Sequence, residues 1–228
     1  MARQPAGSVL FVGDIQGCVK PLENLLRAAE FRPDEHQLIP VGDTINRGPH
    51  NVRVLDLLKS VGAEPILGNH ELGLLAALKM PKVPKWLSKE SVSKDLLRHR
   101  KLGQYLDWIE SWPMWVWGDQ WLVVHGGLHP TLPIEQTDPW YLATVRVCNR
   151  DGECPEGWDG THATIPGDCR PWYRWYRGQD VVIYGHWARN GLSIRSHTVG
   201  LDSGCVYGGQ LSGMWFPSRD LVQVEGHR

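Results

Sequence analysis

The chain has 228 residues, 42% of them hydrophobic, enough for one domain with a substantial core and too few for two ordinary ones. A formal net charge of −1 excludes a surface that binds nucleic acid or membrane by bulk charge, so any anion site must be local. Five cysteines at irregular spacings, Cys18, Cys148, Cys154, Cys169 and Cys205, fit reduced thiols better than a secreted disulfide framework.

The apolar run in "MARQPAGSVLFVGD" is too short for a signal core, and no later run approaches membrane-spanning length. The expectation is a cytoplasmic protein with one domain over residues 1–228, no membrane and no stable nucleic-acid partner; oligomeric state is left open.

In chain order, "SVLFVG" predicts a strand and "PLENLLRAAEF" a helix with Leu22, Leu25, Leu26 and Ala29 on one face and Pro21 in its first turn. "QLIPVG" predicts a second strand, and "NVRVLDLLKSVG" a helix burying Val54, Leu55 and Leu58 and stopping at Gly62. "AEPILG" and "ELGLLAALKM" complete a third strand and helix. Three such repeats imply a largely parallel sheet, whose ligand site lies beyond the carboxyl ends of its strands.

Residues 80–104, "MPKVPKWLSKESVSKDLLRHRKLGQ", are rich in lysine and arginine and predict an inserted helical cap, either a solvated face or a basic lid for a polyanion. Further strands follow in "WLVVHGG", "VVIYGHW", "HTVGLDSG", "GMWFP" and "DLVQVEG", expected to form a second sheet packed on the first. A Gly/Pro/Asp-rich stretch, "VCNRDGECPEGWDGTHATIPGDC", interrupts them and has the length of a functional loop. Its Cys148, Cys154 and Cys169 with His162 could supply zinc ligands, but no tight Cys-x-x-Cys pair supports that. Among the twelve tryptophans, Trp172 and Trp175 with Tyr173, Tyr176, Arg174 and Arg177 form either core packing or a base-stacking surface.

Five polar clusters each follow an apolar run: "GDIQG" (Asp14, Gln16), "GDTINRG" (Asp43, Asn46, Arg47), "GNHE" (Asn69, His70, Glu71), "HGG" (His125) and "GHW" (His186). Carboxylates, imidazoles and carboxamide oxygens on converging loops make a mixed oxygen and nitrogen ligand set for two divalent ions. Ions about 3.5–4 Å apart can clamp a phosphoryl group during in-line displacement, so phosphoryl hydrolysis is the natural chemistry.

In this order the clusters resemble the signature of the calcineurin-like metallophosphoesterases, in the branch that holds PPP-type Ser/Thr phosphatases and symmetrical diadenosine tetraphosphatases. The resemblance runs from Gly13 to "LDSGCVYGG". It implies an α/β fold, a β-sandwich of two mixed sheets flanked by helices, with the dimetal site at one edge. It also implies Asp14, Gln16 and Asp43 as ligands of one metal, Asp43 bridging to a second, and Asn69, His125 and His186 as the remaining ligands. His70 matches the general acid, Arg47 a phosphate-binding arginine and Arg146 in "TVRVC" a second phosphate contact; Tyr207 is expected along the substrate groove.

Two positions depart from the best-known form of the family, which has histidine at Gln16 and aspartate at Asn46. A carboxamide oxygen at Gln16 keeps the charge of the site and favours oxygen-loving ions, Mn foremost, with Mg or Co as alternatives. An aspartate at Asn46 would charge-stabilise protonated His70, whereas asparagine orients the ring and supplies no charge. That is a handicap against a serine alkoxide and a small one against a nucleoside diphosphate, whose terminal phosphate has a second pKa of about 6. The resemblance therefore implies symmetrical hydrolysis of diadenosine tetraphosphate to two ADP by a metal-bridging hydroxide. A Ser/Thr protein phosphatase on the same site is the alternative, and a nucleotide-binding protein without turnover a third.

Overall fold

The first predicted strand is apolar at every position because both of its faces are covered. In a computed structural model, which describes residues 7–80 and 94–227, Leu10 and Val12 pack beneath helices while Val9 and Phe11 face a second sheet. The elements run β1 (Val9–Val12), α1 (Val19–Ala28), β2 (Gln37–Pro40), α2 (Asn51–Ser60), α3 (Asn69–Leu78), α4 (Lys94–Leu97), α5 (Leu102–Glu110), β3 (Trp115–Gly118), β4 (Trp121–Val124), α6 (Pro139–Thr144), β5 (Val147–Cys148), β6 (Arg170–Pro171), β7 (Val181–Tyr184), β8 (Ser193–Ile194), β9 (Thr198–Gly200), β10 (Gln210–Phe216) and β11 (Leu221–Glu225), with short 3-10 turns between several of them.

The first sheet has the order β11-β10-β1-β2, and the second β3-β4-β7-β9-β8; β5 and β6 form a separate ribbon. Strands β1 and β2 are parallel, as are β4, β7 and β9, while the outer strands pair antiparallel. Both sheets are therefore mixed, and their facing sides enclose Phe11, Ile39, Val123, Ile183, Val199 and Met214. Phe11 meets Trp121 edge to face at 5.0 Å between ring centroids.

Three expectations change. "AEPILG" forms no strand: Glu64 and Ile66 donate backbone N–H groups to Leu38 and Pro40 at 2.9 and 3.3 Å, but Pro40 has no N–H to return. The first sheet is accordingly less parallel than three βα repeats imply. Strands β10 and β11 join this first sheet rather than the second, because β10 pairs antiparallel along the whole of β1.

Helix α1 begins at Val19 and α2 ends just before Gly62, whose φ of +66° provides the left-handed exit. Of the expected cap, residues 81–93 lie outside the described residues. In the part that follows, Leu96, Tyr105 and Ile109 pack with Leu55 on α2, Leu74 on α3 and Leu67 just before α3. Asp95 accepts from Val52 N–H at 3.1 Å, fastening α4 to the first turn of α2. No residue of 94–104 lines the cleft described below.

Candidate active site

The loops after β1, β2, β4 and β7, the start of α3 and the turn after β9 converge on one cleft of about 670 Å³. Gln16, Asp43, Arg47, Asn69, His70, Arg146, His186 and Tyr207 all line it. Asp14 and His125 lie buried beneath its floor, Asp14 accepting from the His186 N–H at 3.2 Å. Asn46 is buried against His70. The residues of the five polar clusters that were given a site role, with Arg146 and Tyr207, are thus brought to one place.

The backbone is bent to do this. Gln16, Asp43, Asn46, Arg47 and His186 all have φ between +46° and +73°, five of the eight non-glycine residues with positive φ among those described. Such conformations cost free energy and persist where surrounding contacts over-determine them. Two motif glycines have a steric reason as well: a Cβ on Gly68 would strike Asp43, and one on Gly185 would strike Asp14.

Glu71, quoted in the sequence motif without a role, holds the second loop. Its buried carboxylate accepts the backbone N–H groups of Asp43, Thr44 and Gly68 at 2.9 Å each and of Ile45 at 3.2 Å, with the Thr44 hydroxyl at 3.0 Å. As the third residue of α3, it also caps the helix N-terminus. Asp202, one residue after Leu201 and at the end of the run containing β9, is a second residue that the motifs did not single out. It lines the cleft and is buried. The strand-end rule that picked Asp14 and Asp43 applies equally to "VGLDSG".

Asp43 is the centre of the cluster. Its Oδ1 lies 3.2 Å from His125 Nε2 and accepts the His70 N–H at 3.0 Å; its Oδ2 lies 3.5 Å from Gln16 Nε2 and 3.7 Å from His70 Nε2. Asn69 Oδ1 sits 3.2 Å from His125 Nε2 and 2.7 Å from His186 Nδ1. Asp43, His125 and His186 are the candidate metal-binding group among the described residues, with one donor atom from each within 4.8 Å of the others. Cys148, Cys154, Cys169 and His162 form no such group.

The donor set fits a cation. His125 Nδ1 lies 2.8 Å from the Val41 carbonyl, which can only accept, so Nδ1 carries the proton and neutral His125 presents a lone pair at Nε2. That lone pair faces the Asp43 carboxylate and the Asn69 carbonyl oxygen, an arrangement of acceptors with no donor of its own. Burial works against charge on His125, but Asp43 and Asp14 outweigh it and push its pKa up to about 10, so a proton takes the place a cation would fill. His186 is held well below its ordinary value by burial, by Arg146 and by His125, and its buried Nε2 has no hydrogen-bond partner.

The carboxylates show the same demand. Burial and Asp202 raise Asp14 well above the usual range, with Asp43 adding to the effect. Burial opposes ionisation of Asp43 as well, but His125, His70 and His186 hold it well below the usual range. Gln16 has its amide nitrogen toward Asp43 and can present its oxygen by turning over about its last bond.

Above this cluster lie Asn46, Arg47, His70, Arg146 and Tyr207. Asn46 Nδ2 is 3.0 Å from His70 Nδ1, and Arg47 Nε donates to His70 Nε2 at 3.1 Å. The Arg47 guanidinium lies over the Tyr207 ring at 5.3 Å, and Tyr207 is 60% exposed, open to a ligand. Burial lowers the Arg146 pKa, while Asp202, Asp43 and Asp14 favour its charge.

The aromatic group around Trp172 stands elsewhere. Trp172 and Tyr173 are buried in the core beneath the second sheet, and Trp175 donates its indole N–H to Cys148 O at 3.0 Å. Packing is what Trp172 and Tyr173 do, while Trp175, Tyr176 and Arg177 also line a separate cavity of about 410 Å³. The large rings that border the cleft are Trp158, Trp187 and Tyr207.

Two mixed sheets between helices, with carboxylates, carboxamides and imidazoles gathered at their carboxyl ends, define a metallohydrolase architecture. The calcineurin-like phosphoesterase family model matches residues 7–190, and the chain belongs to that family. The symmetrical bis(5'-nucleosyl)-tetraphosphatase of Janthinobacterium sp. (strain Marseille) is 28% identical, with 94% of each chain covered. A crystal structure provisionally named as a diadenosine tetraphosphatase is 33% identical and superposes with a TM-score of 0.82, covering 98% of this chain and 95% of its own. A Ser/Thr protein phosphatase from Saccharomyces cerevisiae, 15% identical, shares the fold with a TM-score of 0.55 over 100% of this chain and 82% of its own.

Proposed function

We propose that this protein hydrolyses diadenosine tetraphosphate symmetrically to two ADP. The observation that carries this reading is the pairing of His70 with a carboxamide, Asn46, at 3.0 Å where a carboxylate would hold the ring protonated. An acid so positioned suits a nucleoside diphosphate leaving group, which needs little protonation. The similarity to tetraphosphatases over nearly the full chain supports the same substrate class.

Asp14, Gln16 and Asp43 would hold one divalent cation and Asp43, Asn69, His125 and His186 a second, with Mn favoured by the preponderance of oxygen ligands. When bound, the pair would supply Lewis-acid charge and activate the attacking water. Arg47 and Arg146 bind the phosphoryl oxygens and offset the charge that develops on them. His70 in its protonated form, oriented by Asn46, hands its Nε2 proton to the leaving oxygen, as Arg47 turns from that nitrogen to the phosphoryl oxygens. The five free cysteines accord with a reducing, cytoplasmic setting, and no helix among the described residues is long and apolar enough to cross a membrane.

The test supplies Mn with diadenosine tetraphosphate and a phosphoserine peptide in separate reactions, and resolves the products. ADP as sole nucleotide product is expected. ATP with AMP would exclude symmetrical cleavage, and phosphate from the peptide alone would establish the protein-phosphatase alternative. Asp43→Asn abolishes turnover under the same conditions; full activity in that variant would overturn the dimetal site.

A further inference from the structure

Part of the cleft has no task in the reaction just described. Beside the metal cluster and its arginines, Trp158, Asp159, Trp187 and Arg189 form a wall, and Trp158 and Asp159 come from the Gly/Pro/Asp-rich segment 149–169.

This wall is built rather than incidental. Trp158 is half-buried, and its indole N–H donates to Thr161 O at 3.1 Å and Thr164 Oγ1 at 3.2 Å, so its polar edge is turned into its own loop. The ring stands edge to face against Trp187, with centroids 5.6 Å apart and planes at 80°. Trp187 is buried, donates to Gly160 O at 3.1 Å and is backed by the His162 ring, stacked at 4.7 Å and 11°. His162 Nε2 in turn lies 2.6 Å from Asn190 Oδ1. Arg189 donates to Asp159 O at 2.8 Å and Thr161 Oγ1 at 3.0 Å, pinning the loop to the turn that follows His186. Indole position is thereby fixed before any ligand arrives, which reduces the ordering cost of stacking.

Asp159 tells what class of group belongs here. Its Oδ1 is occupied by Thr161 N–H at 2.9 Å and the Thr164 hydroxyl at 2.7 Å, and the exposed carboxylate retains acceptor capacity on its other oxygen. A carboxylate repels a further phosphate and accepts from hydroxyl or amino donors. An aromatic face beside such an acceptor, adjoining a polyphosphate site, matches a nucleoside.

We infer that Trp158 and Asp159 form a nucleoside subsite, the indole stacking on one base of the substrate and the carboxylate accepting from its ribose hydroxyls. The inference rests on the proposed polyphosphate site but adds residues that the family motifs do not contain.

The experiment compares wild type, Trp158→Ala, Trp158→Phe and Asp159→Asn, all Mn-loaded, by calorimetric titration with ADP and with inorganic pyrophosphate, alongside KM for diadenosine tetraphosphate. Trp158→Ala should weaken ADP about tenfold or more relative to pyrophosphate, and Trp158→Phe should recover most of that loss because it restores a stacking face. Asp159→Asn should weaken ADP but not its 2',3'-dideoxy analogue. Equal losses for ADP and pyrophosphate, or no loss in Trp158→Ala, would overturn the subsite, and thermal melting of each variant excludes a folding defect as the cause. Trp158-dependent ADP binding in an enzyme that fails to cleave diadenosine tetraphosphate would leave the subsite standing and remove the proposed reaction. Symmetrical cleavage with unaltered KM and ADP binding in Trp158→Ala would do the reverse.

Discussion

The Glu71 carboxylate holds Asp43 through the backbone, its Oε2 accepting the Asp43 N–H at 2.9 Å while Oε1 takes the next two amides. The left-handed φ of +49° at Asp43 is maintained by this grip, and the aspartate side chain is thereby aimed at His125. Glu71→Gln places an amide NH₂ among donors. It should weaken Mn binding about 10–100-fold, as loss of an outer partner of metal ligands does, and lower the melting temperature of the metal-free protein. Calorimetric metal titration and thermal melting check both effects.

His125 links metal, proton and stability. Its folded pKa, pushed up to about 10, lies above the ordinary histidine value. In metal-free protein it therefore contributes stability that is fully present below about pH 6.5 and is lost as pH rises through about 10. A divalent cation needs the Nε2 lone pair, so Mn binding at neutral pH should release protons and tighten as pH rises. Proton release in weakly buffered solution checks this; uptake of protons on adding Mn would contradict it.

Asn46→Asp converts the His70 partner into a charge. The variant should gain activity toward phosphomonoesters with basic leaving groups relative to diadenosine tetraphosphate, by roughly tenfold or more in the kcat/KM ratio. An unchanged ratio would separate His70 from leaving-group protonation.

Trp172 is fully buried, in edge-to-face contact with Tyr184 at 5.1 Å. Trp172→Ala should cost about 3–5 kcal/mol of stability, measured by denaturant unfolding. A change confined to nucleotide affinity, with stability intact, would revive the stacking alternative for that group.

Much of the fold and site was legible in the sequence because the signals are local. Apolar runs of strand length ending in Gly-Asp, Gly-Asn-His and Gly-His placed Asp14, Asp43, Asn69 and His186 at strand ends and loop turns, and in a βα arrangement those ends share an edge. Glu71 was visible in "GNHE" as a polar residue, yet its service to three loop amides of another segment was not. Pro40 likewise looked harmless in a strand, although it removes the N–H that would have tied in residues 64–66.

Residue types, the order of the polar clusters and the departures at Gln16 and Asn46 were determined by the sequence alone, since they need only neighbouring residues to be read. The tertiary structure decided which distant segments meet. It brought Asp14 to His186 across 172 residues, set Asp202 among the other carboxylates and turned Trp172 into the core. It also carried Trp158 on an aperiodic loop to the rim of the cleft. Such meetings depend on strand pairing and loop closure between remote parts of the chain, and local periodicity carries no record of them.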